Sequence, residues 1–187
     1  GRTGRWFAIE HSGVQADLIT MAKSLAGGYP LSGLTGKAAI MDAAEPGGLG
    51  GTYAGSPVAI AAAHAVLDVI SEESLLRRSE ELGQRLTRRL EELRATVPAI
   101  ADVRGMGSMI AAEFRKPGQG PTAFDSDFAK RVQTMAWQRG LILLLCGTGA
   151  SAIRFLYPLT IEDRTFDEAL DILTACIREV AGANHPA

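Results

Sequence analysis

Cysteine and histidine are scarce in this 187-residue chain, with two and three copies. Cys146 and Cys176 have no metal-ligand spacing and form no redox pair, which excludes a disulfide framework and a zinc module. The expected compartment is therefore reducing, the cytoplasm. His11, His64 and His185 are scattered and build no metal arrangement. No apolar run reaches the roughly 18 residues that a membrane-spanning helix requires. An excess of one charge is missing too: 19 basic and 21 acidic residues leave a net charge of −2. The most basic stretch, Arg85 to Arg94, alternates in sign along a helical pattern, a solvated face rather than a nucleic-acid surface. Neither a Gly-x-Ser-x-Gly elbow nor a Walker Gly-Lys-Ser/Thr occurs. Initiator methionine, signal peptide and transit features are also lacking. Gly1-Arg2-Thr3-Gly4 reads as a loop in mid-fold, and the natural chain is expected to begin far upstream.

What is present is a globular composition, 47% apolar and 21% charged, long enough for one domain or two small ones. Asp17 to Ala22 reads as a buried strand ending at Lys23 and running into the glycine turn Gly27-Gly28. Leu31–Leu34 and Ala38–Met41 read as two short strands joined near Gly36. A glycine-rich loop, Pro46 to Gly55, leads to a helix with Ser56 as N-cap and Pro57 at its first position. That helix, about Val58 to Ile70, is apolar almost all round and is expected to be buried. After Ser71 the composition changes. Glu72 to Thr96 is a charged amphipathic helix with Leu75, Leu82, Leu86, Leu90 and Leu93 on one side. Strands follow at Ile100–Arg104 and Ser108–Phe114, then a helix from about Phe124 to Gln138. Strands at Leu141–Cys146 (buried) and Ile153–Leu156 precede a last helix from about Thr160 to Val180.

Three features could carry chemistry. Lys23 precedes small residues and glycines, where backbone can approach a ligand closely, and burial would free its amine to attack a carbonyl. The alternative is a lysine snorkelling outward at a strand end. The Gly47–Gly55 loop can turn amides toward an anion, with Thr52 adding a hydroxyl ahead of a helix N-terminus; a flexible connection is the other reading. Arg154 lies in the apolar segment Ala152 to Pro158, where a guanidinium needs an anionic partner. A substrate carboxylate or a structural ion pair would each serve.

Together these elements resemble class III (ω) pyridoxal-phosphate aminotransferases over nearly the whole chain. The resemblance is carried by Gly1-Arg2-Thr3-Gly4, Asp17 to Pro30, Gly47 to Pro57, Val103-Arg104-Gly105-Met106-Gly107 and Gly140 to Thr148, in family order. Gly-Gly-Thr-Tyr-Ala-Gly-Ser-Pro at 50–57 and Leu-Leu-Leu-Cys-Gly-Thr at 143–148 favour the 4-aminobutyrate branch over the ornithine and acetylornithine branches. The resemblance implies an α/β fold of the type I (aspartate aminotransferase-like) class. Residues 1–75 would end an incomplete large cofactor-binding domain, and 76–187 would form a small α+β domain. It implies that Lys23 holds pyridoxal phosphate covalently and shuttles the proton. Thr52 would donate to the cofactor phosphate of a partner subunit, making the active unit a homodimer, and Arg154 would grip the α-carboxylate of glutamate or 2-oxoglutarate. The expected reaction moves the amine of 4-aminobutyrate to 2-oxoglutarate, with no metal, nucleic acid or membrane involved. Other ω-amino acids, 5-aminovalerate and β-alanine, remain open, as does a non-catalytic α+β dimerisation module. The family's aspartate for the pyridine nitrogen and its phosphate loop would lie upstream of residue 1, so the chain alone is expected to be inactive.

Overall fold

A computed structural model describes residues 1–182, and His185 falls outside that range. Contacts divide the chain into two compact units, Gly1 with Arg5–Leu76 and Arg2–Gly4 with 77–187. In the first unit, β1 (Leu18–Met21) pairs antiparallel with β2 (Gly33–Gly36), Met21 opposite Gly33 and Leu18 opposite Gly36. Gly36 is needed there, because a Cβ would lie 2.6 Å from the Asp17 carbonyl oxygen. Beyond it the expected second strand is instead one helical turn, α1 (Ala38–Met41), closed by amides of Ile40 and Met41 on the Lys37 carbonyl. Two consecutive alanines favour helix over strand once no neighbouring strand is on offer.

The apolar helix is α2 (Pro57–Glu72), with Pro57 at its start as expected, although the Ser56 side chain makes no cap bond. Its burial does not follow the expectation. Ala59 is its buried residue, while Val58, Ile60, Leu67 and Val69 are all exposed. Apolar on every side, it needs partners on every side, and this unit covers one face, through the 3₁₀ turn Lys23–Ala26.

The second unit holds the core. In α3 (Leu75–Arg94), Leu82, Leu86, Leu90 and Leu93 are essentially solvent-free, as their spacing predicts. Ser74, at φ 52°, separates α2 from α3 where the sequence suggested an unbroken helix from Glu72. Four antiparallel strands follow the order β3-β4-β6-β5: β3 (Ile100–Met106), β4 (Met109–Phe114), β5 (Leu144–Cys146) and β6 (Ala152–Arg154). Asp125 caps α4 (Ser126–Gln138) by accepting from the Phe128 amide at 2.9 Å. The final helix is α5 (Asp163–Gly182). One cluster joins Leu86, Phe114, Phe128, Ile153, Leu173 and Ile177. The stretch from Leu141 gives only three strand residues, and they form a sheet edge, with Ile142 and Leu144 exposed rather than buried. No helix among the described residues is long and apolar enough to cross a membrane.

Candidate active site

Lys23 sits two residues past the last β1–β2 pair, at the start of the 3₁₀ turn, which Gly27 closes in the left-handed conformation. The turn is pressed on α2: a Cβ on Gly27 would meet Val66 Cγ2 at 3.2 Å. Lys23 itself adopts φ 59°, a left-handed backbone that costs a non-glycine residue on the order of 1–2 kcal/mol. Strain of this kind concentrates at functional positions, and nothing in the linear pattern announces it. The side chain is exposed, not buried as the strand reading implied. It lines a cavity of about 640 Å³ with Thr20, Met21, Ala22, Ser32, Gly33 and Leu34. Among the described residues its amine has no ion pair, whereas Lys37, on the same hairpin, is held by Asp17 at 2.5 Å. A lysine without an ion pair beside an open cavity fits a group that reacts at nitrogen.

Thr52 lies on the exposed loop before α2, between Gly47 and Gly55, both at positive φ. The loop holds itself by short turns, Gly48 N to Glu45 O at 2.9 Å and Ala54 N to Gly51 O at 3.0 Å. The Thr52 hydroxyl has no hydrogen-bond partner among the described residues and does not line the Lys23 cavity. Such a loop can offer amides and a hydroxyl to an anion, and Thr52 is available for a ligand held elsewhere.

Arg154 ends β6 in the second unit, opposite Ala111 on one side and Leu144 on the other. Its Nε is buried without a hydrogen bond. A structural ion pair was one reading of this arginine, but no carboxylate meets it among the described residues. Leaving a buried donor unpaired costs about 1–3 kcal/mol. Arg154 lines a groove of about 660 Å³ whose walls are mainly apolar, including Leu144, Phe155, Leu156 and Phe166. An apolar groove with an arginine whose buried Nε lacks an acceptor suits a small carboxylate. Two residues not singled out from sequence belong with it: Tyr157, which lines the groove, and Arg2, which is bonded to Tyr157. Tyr157 Oη is buried without a well-placed partner; the neighbouring Ser108 hydroxyl already donates to the Ser79 carbonyl at 2.9 Å. Burial pushes the Tyr157 phenol up from its usual value near 10.0, offset in part by Ser108 and by the charges of Arg2 and Arg78. Arg2 grips the Tyr157 carbonyl at 2.6 Å. The place of Arg2 in the Gly1-Arg2-Thr3-Gly4 motif was the hint of it in the sequence. Among the described residues no group of three His, Cys, Asp or Glu could hold a metal ion.

Residues 1–177 match the family model for class-III aminotransferases. The chain is 53% identical over 97% of its length to a 5-aminovalerate aminotransferase of Pseudomonas putida. It is 48% identical over 96% of its length to a 4-aminobutyrate aminotransferase of Escherichia coli. It spans 42% of the length of each. Among solved structures, it superposes on acetylornithine aminotransferase from Elizabethkingia anophelis with a TM-score of 0.82 and 34% identity, covering 95% of this chain and 45% of that one. Ornithine aminotransferase of Toxoplasma gondii, whose active site holds pyridoxal phosphate at partial occupancy, gives 0.85 at 31% identity, with 97% and 41% covered.

Proposed function

The chain belongs to the class-III aminotransferase family, and from that premise we propose that the intact protein transfers the terminal amine of 4-aminobutyrate to 2-oxoglutarate, yielding succinate semialdehyde and glutamate. The observation that carries this reading is Lys23, whose backbone is left-handed and whose amine has no ion pair among the described residues, on the wall of an open cavity. Pyridoxal phosphate, when bound, supplies the electron sink for the substrate carbon that bears the nitrogen. Lys23 would hold the group through its amine and would carry the proton to and from that carbon. Thr52 would donate to the phosphate of the group bound by a partner subunit, which would make the active unit a homodimer. Arg154 takes the α-carboxylate of the oxo acid, the acceptor that its buried Nε lacks. Residues 1–75 are the end of the large domain and 76–187 the small one. The free thiols of Cys146 and Cys176 go with a cytoplasmic setting.

A second reading, 5-aminovalerate as donor, is supported by the Pseudomonas relative, which is the more similar of the two aminotransferases compared above. One methylene in an apolar pocket is worth about 1–3 kcal/mol, so kcat/KM for the two donors should differ by about tenfold or more and decide the matter. Lys23→Ala in the full-length protein is expected to abolish turnover and the cofactor's visible absorbance while leaving the circular dichroism intact. Retained turnover would sink the assignment, and unchanged absorbance would favour a non-catalytic module. The purified 187-residue chain is expected to be inactive, because it spans only 42% of the length of the aminotransferases it matches.

A further inference from the structure

Arg2 is half-buried in the second unit, yet it has no carboxylate partner among the described residues. Other arginines of that unit do: Arg85, Arg89, Arg104, Arg115 and Arg139 each meet an Asp or Glu. Arg2 instead directs Nη1 to the Tyr157 carbonyl at 2.6 Å and holds its guanidinium 5.8 Å from the centre of the Tyr157 ring. Its own carbonyl accepts from Ser79 Oγ at 2.6 Å and from the Ser108 amide at 2.9 Å. Backbone and side chain are thus clamped at the two ends of one residue.

The segment it grips begins where β6 stops. Phe155 still donates to the Ile110 carbonyl at 3.1 Å, after which the ladder ends, and Pro158 has no amide to extend it. Phe155, Leu156 and Tyr157 form a wall of the groove that also contains Arg154. The charge-assisted bond from Arg2 is the tie at the far end of that wall. Without it, the Tyr157 carbonyl would lose its partner, and the end of the wall would be held only by side-chain packing such as the Tyr157 ring against Phe166 at 4.9 Å. We propose that Arg2 is a positioning residue for the carboxylate groove: by holding the Tyr157 carbonyl it fixes the Phe155–Tyr157 wall and so the direction in which Arg154 presents its guanidinium. The inference rests on the reading of Arg154 as the carboxylate ligand.

The test uses the full-length protein loaded with cofactor and follows each half-reaction separately. Arg2→Met, which keeps the apolar stem, is expected to raise the KM for 2-oxoglutarate about tenfold, the scale on which small misplacements act. The KM for the amine donor should stay within about twofold, and Arg2→Lys should restore most of the loss. Arg154→Gln is measured beside it. If Arg154→Gln weakens 2-oxoglutarate but Arg2→Met leaves it unchanged, or shifts both substrates alike, the positioning role is overturned and Arg154 keeps its assignment. If Arg154→Gln has no effect, that assignment falls and takes this one with it. Should Arg2→Met fail to fold, Arg2→Gln keeps a donor without the charge and must give the same split. Failure of both to fold would make Arg2 structural and end the proposal.

Discussion

Gly83 lies inside α3, where glycine is about 1 kcal/mol worse than alanine, so helix propensity alone would make Gly83→Ala stabilising. The packing says otherwise. A Cβ built there would stand 1.8 Å from the Gly107 carbonyl oxygen and 2.4 Å from its carbon. Helix and turn would have to part by roughly 1.5 Å to reach ordinary contact. The turn has nowhere to go. Gly107 is itself against Thr3, with its own Cβ position 2.5 Å from the Thr3 carbonyl carbon. Ser108 is pinned by its amide to Ser79 Oγ at 3.0 Å and by its hydroxyl to the Ser79 carbonyl at 2.9 Å. Overpacking costs about 1–3 kcal/mol, and each hydrogen bond pulled apart adds about 1 kcal/mol. Against the propensity gain, Gly83→Ala should destabilise by about 2–4 kcal/mol. In native-state hydrogen exchange of the full-length protein, the α3 amides should exchange roughly 30- to 700-fold faster. Gly120→Ala, with open space around the added methyl, serves as the neutral control. Slower α3 exchange in Gly83→Ala would refute the close approach of α3 to the Gly107 turn.

Removing the Tyr157 hydroxyl should be neutral or mildly stabilising, within about 1 kcal/mol, since the buried oxygen has no well-placed partner. Because burial raises this phenol in the folded state, its contribution to stability is present below its usual value near 10.0 and is lost as pH climbs through the raised one. Tyr157→Phe should therefore lessen the alkaline loss of stability in melts above that pH, and an identical alkaline profile would contradict it. In acid the sign reverses. Arg85, then Arg78, hold the Asp163 carboxyl below its ordinary value of 3.8, so its contribution persists above 3.8 and fades as pH falls below it. Asp163→Asn should flatten that acid limb in melts taken at low salt; an unchanged limb would mean that the α3–α5 ion pairs contribute nothing. Finally, the 187-residue chain should bind a hydrophobic dye through the exposed Val58, Ile60, Leu67 and Val69 of α2. Weaker binding after Ile60→Ser together with Leu67→Ser would assign the signal to that helix, and undiminished binding would place it elsewhere.

Much of the second unit was readable from spacing. The leucines of α3 recur at helical intervals because one face must meet the sheet, and the structure buries Leu82 through Leu93 accordingly. In the first unit, Pro57 marks a helix start for a local reason that any context respects. The misread elements share a cause. Ala38–Met41, α2 and the Leu141–Cys146 stretch carry ambiguous apolar patterns, and an apolar run says that a segment wants partners without saying whether they are at hand.

For the site, the linear chain nominated Lys23, Thr52 and Arg154 by residue type and by motifs standing in family order. Residue type travels with the sequence because chemistry belongs to the side chain. The left-handed backbone of Lys23, the unpaired Nε of Arg154 and the hold of Arg2 on Tyr157 depend on neighbours far along the chain. Arg2 and Tyr157 are separated by 155 positions, and no local pattern encodes a contact between them. The sequence by itself determined which groups could react. Tertiary packing decided which of them were left without a partner, because hydrogen-bond satisfaction is a property of what surrounds an atom and not of its place in the chain.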